Sequence, residues 1–291
     1  MKVPTNKLKD AISYYFTLIE PLYGPEESRQ LLLLLSSHFF GYDRVKLALD
    51  PDFRLTESEM LSLHFAVKDL LRHKPLQYIT GKADFYGNQF KVSPAVLIPR
   101  QETEELVQLA VTVIRQKKQP RLEVLDIGTG SGCIAISLKL ALQDLRVSGC
   151  DIEEPALALA QENAKALGAE VDFFILDISG SSALETNPKY HLIVSNPPYV
   201  TTADRQHMQP NVLNWEPAVA LFAPEADPLF FYNAIGTFAQ KHLYEGGVLL
   251  VEINEQYGEQ TMDCFRQLGF SHISLHTDVH GKSRFVKAAI A

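Results

Sequence analysis

Two groups of residues in this 291-residue chain have types and spacings suited to chemistry. The first is Asn196-Pro197-Pro198-Tyr199, which follows the run Leu192-Ile193-Val194-Ser195. A short β-branched run that meets two prolines reads as a buried strand that stops abruptly. Neither proline can extend a ladder, because proline lacks an N–H and has a fixed φ. An amide and an aromatic ring are left on a stiff loop at a strand's carboxyl end, where open α/β sheets bind ligands. A plain strand-ending turn would account for the prolines but not for the Asn and Tyr around them.

The second group is Gly128-Thr129-Gly130-Ser131-Gly132, preceded by Asp126-Ile127 at the end of a strand and followed by a helix. Glycines there permit a tight turn and close approach of a ligand to the backbone. The spacing is G-x-G-x-G with Cys133 next, not the G-x-G-x-x-G of the dinucleotide fingerprint, and the Lys-Ser/Thr of a P-loop is absent. The loop therefore need not hold phosphates. Asp151 closes the next strand, at about the separation at which a carboxylate accepts both hydroxyls of a ribose. Two classes of nucleoside ligand stay open on these features: nicotinamide dinucleotides and S-adenosylmethionine. Asp126 can orient a ligand's ammonium or bond a helix terminus. Asp177, ending the third strand, can reach an adenine amino group or serve as a cap.

The elements that must position these groups follow from periodicity and punctuation. The first ~75 residues carry helix signals only. Pro25 opens a helix that Gly41 closes, and Thr56 with Glu59 forms a capping-box pattern followed by the apolar series Leu61, Phe65 and Leu70-Leu71. Pro75 ends that helix. These spacings suggest a small bundle, in which His38, His64 and His73 stand singly. Between Gln77 and Pro99, glycines, aromatics and prolines read as a β-hairpin or linker. Strand candidates then alternate with helices: Leu122–Ile127, Arg146–Cys150, Val171–Leu176, His191–Ser195 and Val248–Ile253. Pro155 suits a first helical turn and Gly168 a C-cap, while Asp227-Pro228 starts a helix closed by Gly246-Gly247. Ile273–Leu275 and Arg284–Ala289 suggest a terminal antiparallel hairpin. The pattern predicts an α/β fold with a doubly wound, mostly parallel sheet behind an all-helical N-terminal domain. The expected boundaries are 1–75 for the helical bundle, 76–100 for the hairpin or linker, and 101–291 for the α/β domain.

Composition narrows the function classes. Hydrophobic residues make up 46% and charged residues 21%, which supports a sizeable core rather than disorder. The net charge of −8 argues against broad contact with nucleic-acid phosphates. Cys133, Cys150 and Cys264 are odd in number and lack a C-x-x-C pair, so neither a metal site nor a disulfide framework is expected and a reducing cytoplasm fits. No secretory signal is visible, and the longest leucine run, Leu31 to Leu35, is far too short to span a bilayer.

With a G-x-G-x-G loop, an acidic second strand end and Asn-Pro-Pro-Tyr after the fourth strand, the chain resembles class I (Rossmann-like) methyltransferases that modify planar nitrogens. It is most similar to the HemK/PrmC family of peptide chain release factor glutamine methyltransferases. The resemblance runs from about Pro75 to the C-terminus. It rests on Pro75–Gly81, Phe85, Phe90, Val96–Arg100, Glu102-Thr103-Glu104, Leu125–Gly132, Asp151, Ser195–Tyr199, Trp215-Glu216-Pro217, Asp278, Gly281 and Arg284. The helical leader fits the family's two-domain plan. Gln101 stands where the family usually has Pro, and Ile178 where some members carry an aromatic residue.

The resemblance implies that S-adenosylmethionine is the cofactor, held by Gly128, Thr129, Gly130, Ser131, Gly132, Asp151, Asp177 and Asn196. It implies methylation of a glutamine side-chain amide in the Gly-Gly-Gln motif of release factors, with the helical domain docking the substrate. Neither a membrane nor direct contact with nucleic acid is implied. Asn196, Pro197, Pro198 and Tyr199 become the substrate-binding residues, with Asn196 and Pro197 catalytic. An amide nitrogen is a poor nucleophile that carries two N–H donors, and the Asn196 side chain and Pro197 backbone each offer a carbonyl. Tyr199 can pack on the flat amide or wall the loop. Arg100, Glu102 and Glu104 are placed near the pocket mouth by the resemblance, and Trp215-Glu216-Pro217 can help shape the substrate site. The alternatives are a ribosomal-protein glutamine methyltransferase, a DNA adenine methyltransferase that flips its base, a non-enzymatic S-adenosylmethionine binder and a nicotinamide oxidoreductase.

Overall fold

Leucine-rich and capped segments build the first part of the chain as helices, in a computed structural model that describes residues 5–117, 119, 121–180, 188–225 and 227–291. Helix α1 (Leu8–Phe40) is interrupted at Gly24, whose φ of 73° breaks the helical ladder before Pro25 restarts it, and Gly41 caps its end. Helix α2 (Arg44–Leu49) follows. Helix α3 (Glu57–Leu70) opens with the capping box read from the sequence: the Glu59 carboxylate accepts the Thr56 N–H at 2.7 Å, and the Thr56 hydroxyl accepts the Glu59 N–H at 3.3 Å. Its buried stripe is Leu63, Ala66, Val67 and Leu70, whereas Leu61 and Phe65 of the apolar series face solvent. Helix α4 (Leu76–Thr80) ends this part. The chain forms two compact units, the first comprising residues up to Gly81 together with Gln209–Trp215, the second the remainder.

The second unit begins with a hairpin of β1 (Lys82–Phe85) and β2 (Asn88–Lys91). Helix α5 (Gln101–Gln116) leads into alternating elements: β3 (Glu123–Ile127), α6 (Cys133–Ala141), β4 (Arg146–Asp151), α7 (Glu154–Leu167), β5 (Val171–Ile175) and β6 (Tyr190–Ser195). Two short helices in this unit, α8 (Thr202–Arg205) and α10 (Ala218–Leu221), flank α9 (Pro210–Leu213), which belongs to the first. Helix α11 (Phe230–His242), β7 (Leu243–Glu252), α12 (Gly258–Gln267), β8 (Ser271–Thr277) and β9 (Ser283–Ala289) complete it.

Seven strands lie in the order β5-β4-β3-β6-β7-β9-β8, the first five parallel and the last two an antiparallel hairpin, as the sequence pattern predicts. One face is covered by apolar side chains of α5 and α6, the other by those of α11 and α12. Strand β7 starts five residues earlier than Val248. Helix α11 stops at His242, and the strand absorbs Gly246-Gly247 in an irregularity opposite Tyr190/Leu192, so this glycine pair is a bulge rather than a helix terminus.

Register is the feature that matters for a site. Ile127 pairs with both Cys150 and Ser195, and Ser195 pairs with Val251. The residues just past this row are therefore Gly128, Asp151, Asn196 and Glu252, all at the carboxyl end of the sheet. The three cysteines are buried singly. Among the described residues no cluster of His, Cys, Asp or Glu suits a metal ion, and no helix is long and apolar enough to cross a membrane.

Gly149 on β4 shows how tightly this end is packed. A Cβ there would lie 2.8 Å from both the Phe173 ring and the Thr129 hydroxyl. Gly149→Ala is expected to cost about 1–3 kcal/mol through overpacking, measured as a lowered midpoint in equilibrium urea unfolding.

Candidate functional site

The glycine loop is shaped by hydrogen bonds from beneath. The Gly128 and Thr129 N–H groups both donate to the Cys150 carbonyl at 2.9 Å. Gly132 has a φ of 80°, and a Cβ there would meet Ile136 at 2.8 Å and Ala160 at 3.1 Å, so a larger residue is opposed by both backbone and packing. Asp126 is fully buried under the loop. Its Oδ2 accepts the Thr129 hydroxyl at 2.7 Å and the Ala135 N–H of the first turn of α6 at 3.2 Å. Burial pushes its pKa up to about 7, against those two hydrogen bonds. Of the two roles open to Asp126, the structure shows bonding to the helix terminus.

Asp151 lines a cavity at the carboxyl end of the sheet. Its Oδ2 accepts the Gly130 N–H at 2.8 Å and its Oδ1 the Glu153 N–H at 3.1 Å. An ionised carboxylate has about four lone-pair sites, so acceptor capacity remains on both oxygens. Asp177, also on the cavity wall, closes an Asx-type turn in which Oδ1 accepts the Ser179 N–H at 2.9 Å and its hydroxyl at 2.6 Å. The Ser179 hydroxyl and N–H hold its pKa below the ordinary carboxylate value, keeping it an acceptor. Ile152, Ala156, Leu176 and Ile178 add apolar lining to the same cavity. An apolar cavity that carries two carboxylate acceptors and a glycine turn suits the ribose and adenine of a nucleoside ligand.

The Asn-Pro-Pro loop lines the same cavity. Gly128, Gly130, Asp151, Asp177, Asn196, Pro197 and Pro198 all line the cavity, whereas Thr129, Ser131, Gly132 and Tyr199 do not. Thr129 and Ser131 are buried behind the loop. The Ser131 carbonyl accepts from Asn163 Nδ2 at 2.9 Å, and the same Asn163 side chain clamps the Lys91 backbone of β2. The Tyr199 side chain packs on the core beside α11, and its hydroxyl donates to Glu252 Oε1 at 2.9 Å. Its pKa is raised well above the ordinary phenol value, by burial and then by the neighbouring Glu252 charge.

The loop is held on several sides. The Ser195 hydroxyl donates to the Ile127 carbonyl at 2.8 Å. Val200 exchanges backbone hydrogen bonds with Leu221 and Ala223, and Asp204 caps the following turn while accepting from Asn254 Nδ2 at 3.0 Å. Asn196 Nδ2 donates to Thr103 Oγ1 at 3.0 Å, and the Thr103 hydroxyl donates to Glu252 Oε2 at 2.8 Å. Both are buried members of the site: Thr103 belongs to the Glu102-Thr103-Glu104 motif of the resemblance without a role of its own there, and Glu252 lies in no motif.

The remaining charged residues are structural in their contacts. Glu216 accepts the Ile98 N–H at 3.1 Å and pairs with Arg100 at 2.5 Å, fixing the segment that brings Ala95 and Leu97 to the cavity wall. Glu104 accepts the Tyr86 N–H at 3.0 Å. Trp215 belongs to the first unit, where its Nε1 donates to the Arg72 carbonyl and the Lys74 ammonium lies 5.5 Å from its ring centre.

Two family models match the chain: "Methyltransferase small domain" over residues 103–214 and "PrmC N-terminal domain" over residues 22–81. Among solved structures, a Thermus thermophilus 16S rRNA N2 G1207 methyltransferase (RsmC), in complex with AdoMet and guanosine, superposes with a TM-score of 0.52. It covers 72% of this chain and 50% of that one at 16% identity, a likeness of fold. A release factor glutamine methyltransferase of Bacteroides thetaiotaomicron is 39% identical over 95% of this chain and 98% of its own length. One from Flavobacterium psychrophilum is 34% identical over 96% and 98%. One from Streptococcus pneumoniae is 41% identical over 79% and 80%. With a relative of this identity matched over nearly its whole length, and with the methyltransferase sheet and its carboxyl-end cavity in place, the chain belongs to the release factor glutamine methyltransferase family.

Proposed function

We propose that this enzyme methylates the side-chain amide nitrogen of a glutamine in peptide chain release factors, using S-adenosylmethionine. The observation that carries this reading is the Asn196 amide at the cavity wall, its NH2 already committed to Thr103 and its oxygen left for a donor. A glutamine amide brings two N–H groups to such a site. Asn196 Oδ1 accepts one and the Pro197 backbone carbonyl the other, and proline adds no competing N–H. Held this way, the amide plane is fixed and its nitrogen is aimed along the cavity toward the cofactor side. The two acceptors bond more strongly as the nitrogen leaves planarity and its protons become more acidic, which favours the transition state over the ground state. Fixing the approach geometry contributes as well.

Asp151 is the ribose-binding group and Asp177 the adenine-side acceptor, with Gly128 and Gly130 giving the ligand access to the backbone. Thr129, Ser131 and Gly132 act by shaping that turn rather than by touching the ligand. S-adenosylmethionine supplies, when bound, an electrophilic methyl carbon on a positively charged sulfur, so no residue is needed to protonate the leaving group. The product amide's extra proton passes to water. The helical first unit is the substrate-docking domain, and the cytoplasm is where the enzyme meets its substrate. A net charge of −8 supports a protein substrate over duplex DNA.

The direct comparison is methyl transfer from labelled cofactor to a purified release factor, to ribosomal protein and to duplex DNA. Label in the release factor is the expected result, and label only in one of the other two would replace this reading. Asn196→Ala is expected to lower kcat by about 10²-fold or more, because it removes an acceptor that acts in the transition state, with cofactor affinity retained. Asp151→Ala is expected to weaken cofactor binding by about tenfold or more, the loss typical of hydrogen bonds to a charged group, read by calorimetry.

A further inference from the structure

The Asn196 amide has nearly the same shape whichever way it is turned, so packing alone does not decide whether its oxygen or its NH2 faces the substrate. Hydrogen-bond polarity does decide it. Thr103 Oγ1 has one proton and lies between Glu252 Oε2 at 2.8 Å and Asn196 Nδ2 at 3.0 Å. The proton goes to the carboxylate, which leaves only lone pairs facing Asn196, and lone pairs take the NH2 end of the amide. Tyr199 gives its single proton to Glu252 Oε1 at 2.9 Å. Both oxygens of Glu252 thus act as acceptors, which is the pattern of an ionised carboxylate.

We propose that Glu252 and Thr103 are positioning residues for methyl transfer. The Glu252 carboxylate sets the direction of the Thr103 hydroxyl, and the hydroxyl holds Asn196 oxygen-first toward the substrate amide. This inference rests on the reading of Asn196 given above and adds to it the groups that make that reading possible. Protonation on Oε2 reverses the chain. The new Glu252 O–H points at Thr103 Oγ1, the Thr103 proton swings to Asn196, the amide turns over, and an NH2 then opposes the substrate's own N–H groups.

The surroundings make Glu252 sensitive to protonation. It is 1% exposed, and burial raises its pKa to about 7. The Thr103 and Tyr199 hydroxyls and the Arg284 guanidinium from β9 oppose that rise, and Glu102 from α5 adds to it. Tyr232 from α11 donates its hydroxyl to the Glu252 backbone carbonyl at 3.4 Å, and the Glu252 charge helps burial raise the Tyr232 pKa. Because the folded-state pKa is raised, the relay is intact above about 7 and is lost as the pH falls through that value.

The test uses the full-length enzyme with purified release factor, comparing Thr103→Val, Thr103→Ser, Glu252→Gln and Asn196→Ala. Thr103→Val is expected to lower kcat by about 10²-fold, the scale of a small misplacement of a reacting group. KM for the release factor and cofactor affinity change little, the thermal midpoint falls because a buried carboxylate oxygen loses its donor, and Thr103→Ser, which keeps the hydroxyl, recovers most of both the rate and the midpoint. Glu252→Gln behaves like Thr103→Val; should it fail to fold, the Thr103 pair decides the matter. In the wild type kcat falls as the pH is lowered through about 7, and the residual rate of Thr103→Val lacks that limb. Wild-type kcat in Thr103→Val beside an inactive Asn196→Ala overturns the relay and leaves the Asn196 reading standing. Wild-type turnover in Asn196→Ala overturns that reading itself. An acid limb unchanged in Thr103→Val assigns it to another group and overturns the ionisation requirement.

Discussion

A carboxylate that cannot reach water organises this site. Glu252 ends β7 in the same row as Asn196, and removing its charge from solvent is costly unless both oxygens find donors. The donors come from two directions, Thr103 in the first turn of α5 and Tyr199 directly after the prolines. Satisfying one buried group therefore fixes the start of a helix, the loop after β6 and the end of β7 relative to one another. The amide of Asn196 takes its orientation from that arrangement.

Asp126 repeats the device on the cofactor side. It also sits buried at a strand end, also bonds a hydroxyl and a helix first turn, and is also driven toward neutrality by burial. The two carboxylates flank β6 from β3 and β7, so each half of the cavity is tied to a helix terminus by a buried acid. A helix start has spare N–H groups and a positive end, which is where a desolvated carboxylate is best tolerated. The ligand-facing acids, Asp151 and Asp177, are held differently, by backbone N–H groups of their own turns and, for Asp151, of the glycine loop, which leaves acceptor capacity free for the cavity.

Much of this architecture is legible in the sequence, for physical reasons. Parallel strands buried on both faces read as short apolar runs, and Gly41, Gly168 and the Thr56 capping box mark helix ends through local backbone chemistry. Side chains beyond such local signals are harder. Leu61 and Phe65 face solvent because the bundle selects the adjacent stripe of α3, a tertiary choice that periodicity alone does not make. Thr129, Ser131 and Gly132 belong to the glycine motif yet turn away from the cavity, because a tight turn must bury part of itself.

Glu252 lies in no motif and Thr103 has no role assigned within its own, yet the sequence pattern carries a signal for both. Glu252 is the acid in Val248-Leu249-Leu250-Val251-Glu252-Ile253, an otherwise apolar inner strand. Thr103 is the polar member of the buried α5 stripe that continues through Leu106, Val107 and Ala110. A polar residue in a buried pattern asks for a partner, and here the two partner each other.

The central claim, transfer to a planar side-chain nitrogen of a protein, is tested most directly by fragmentation mass spectrometry of a release factor incubated with this enzyme and isotopically labelled S-adenosylmethionine. The account predicts one added methyl group on the side-chain amide of a single glutamine. Label on any other residue type, or on the peptide backbone, would contradict it.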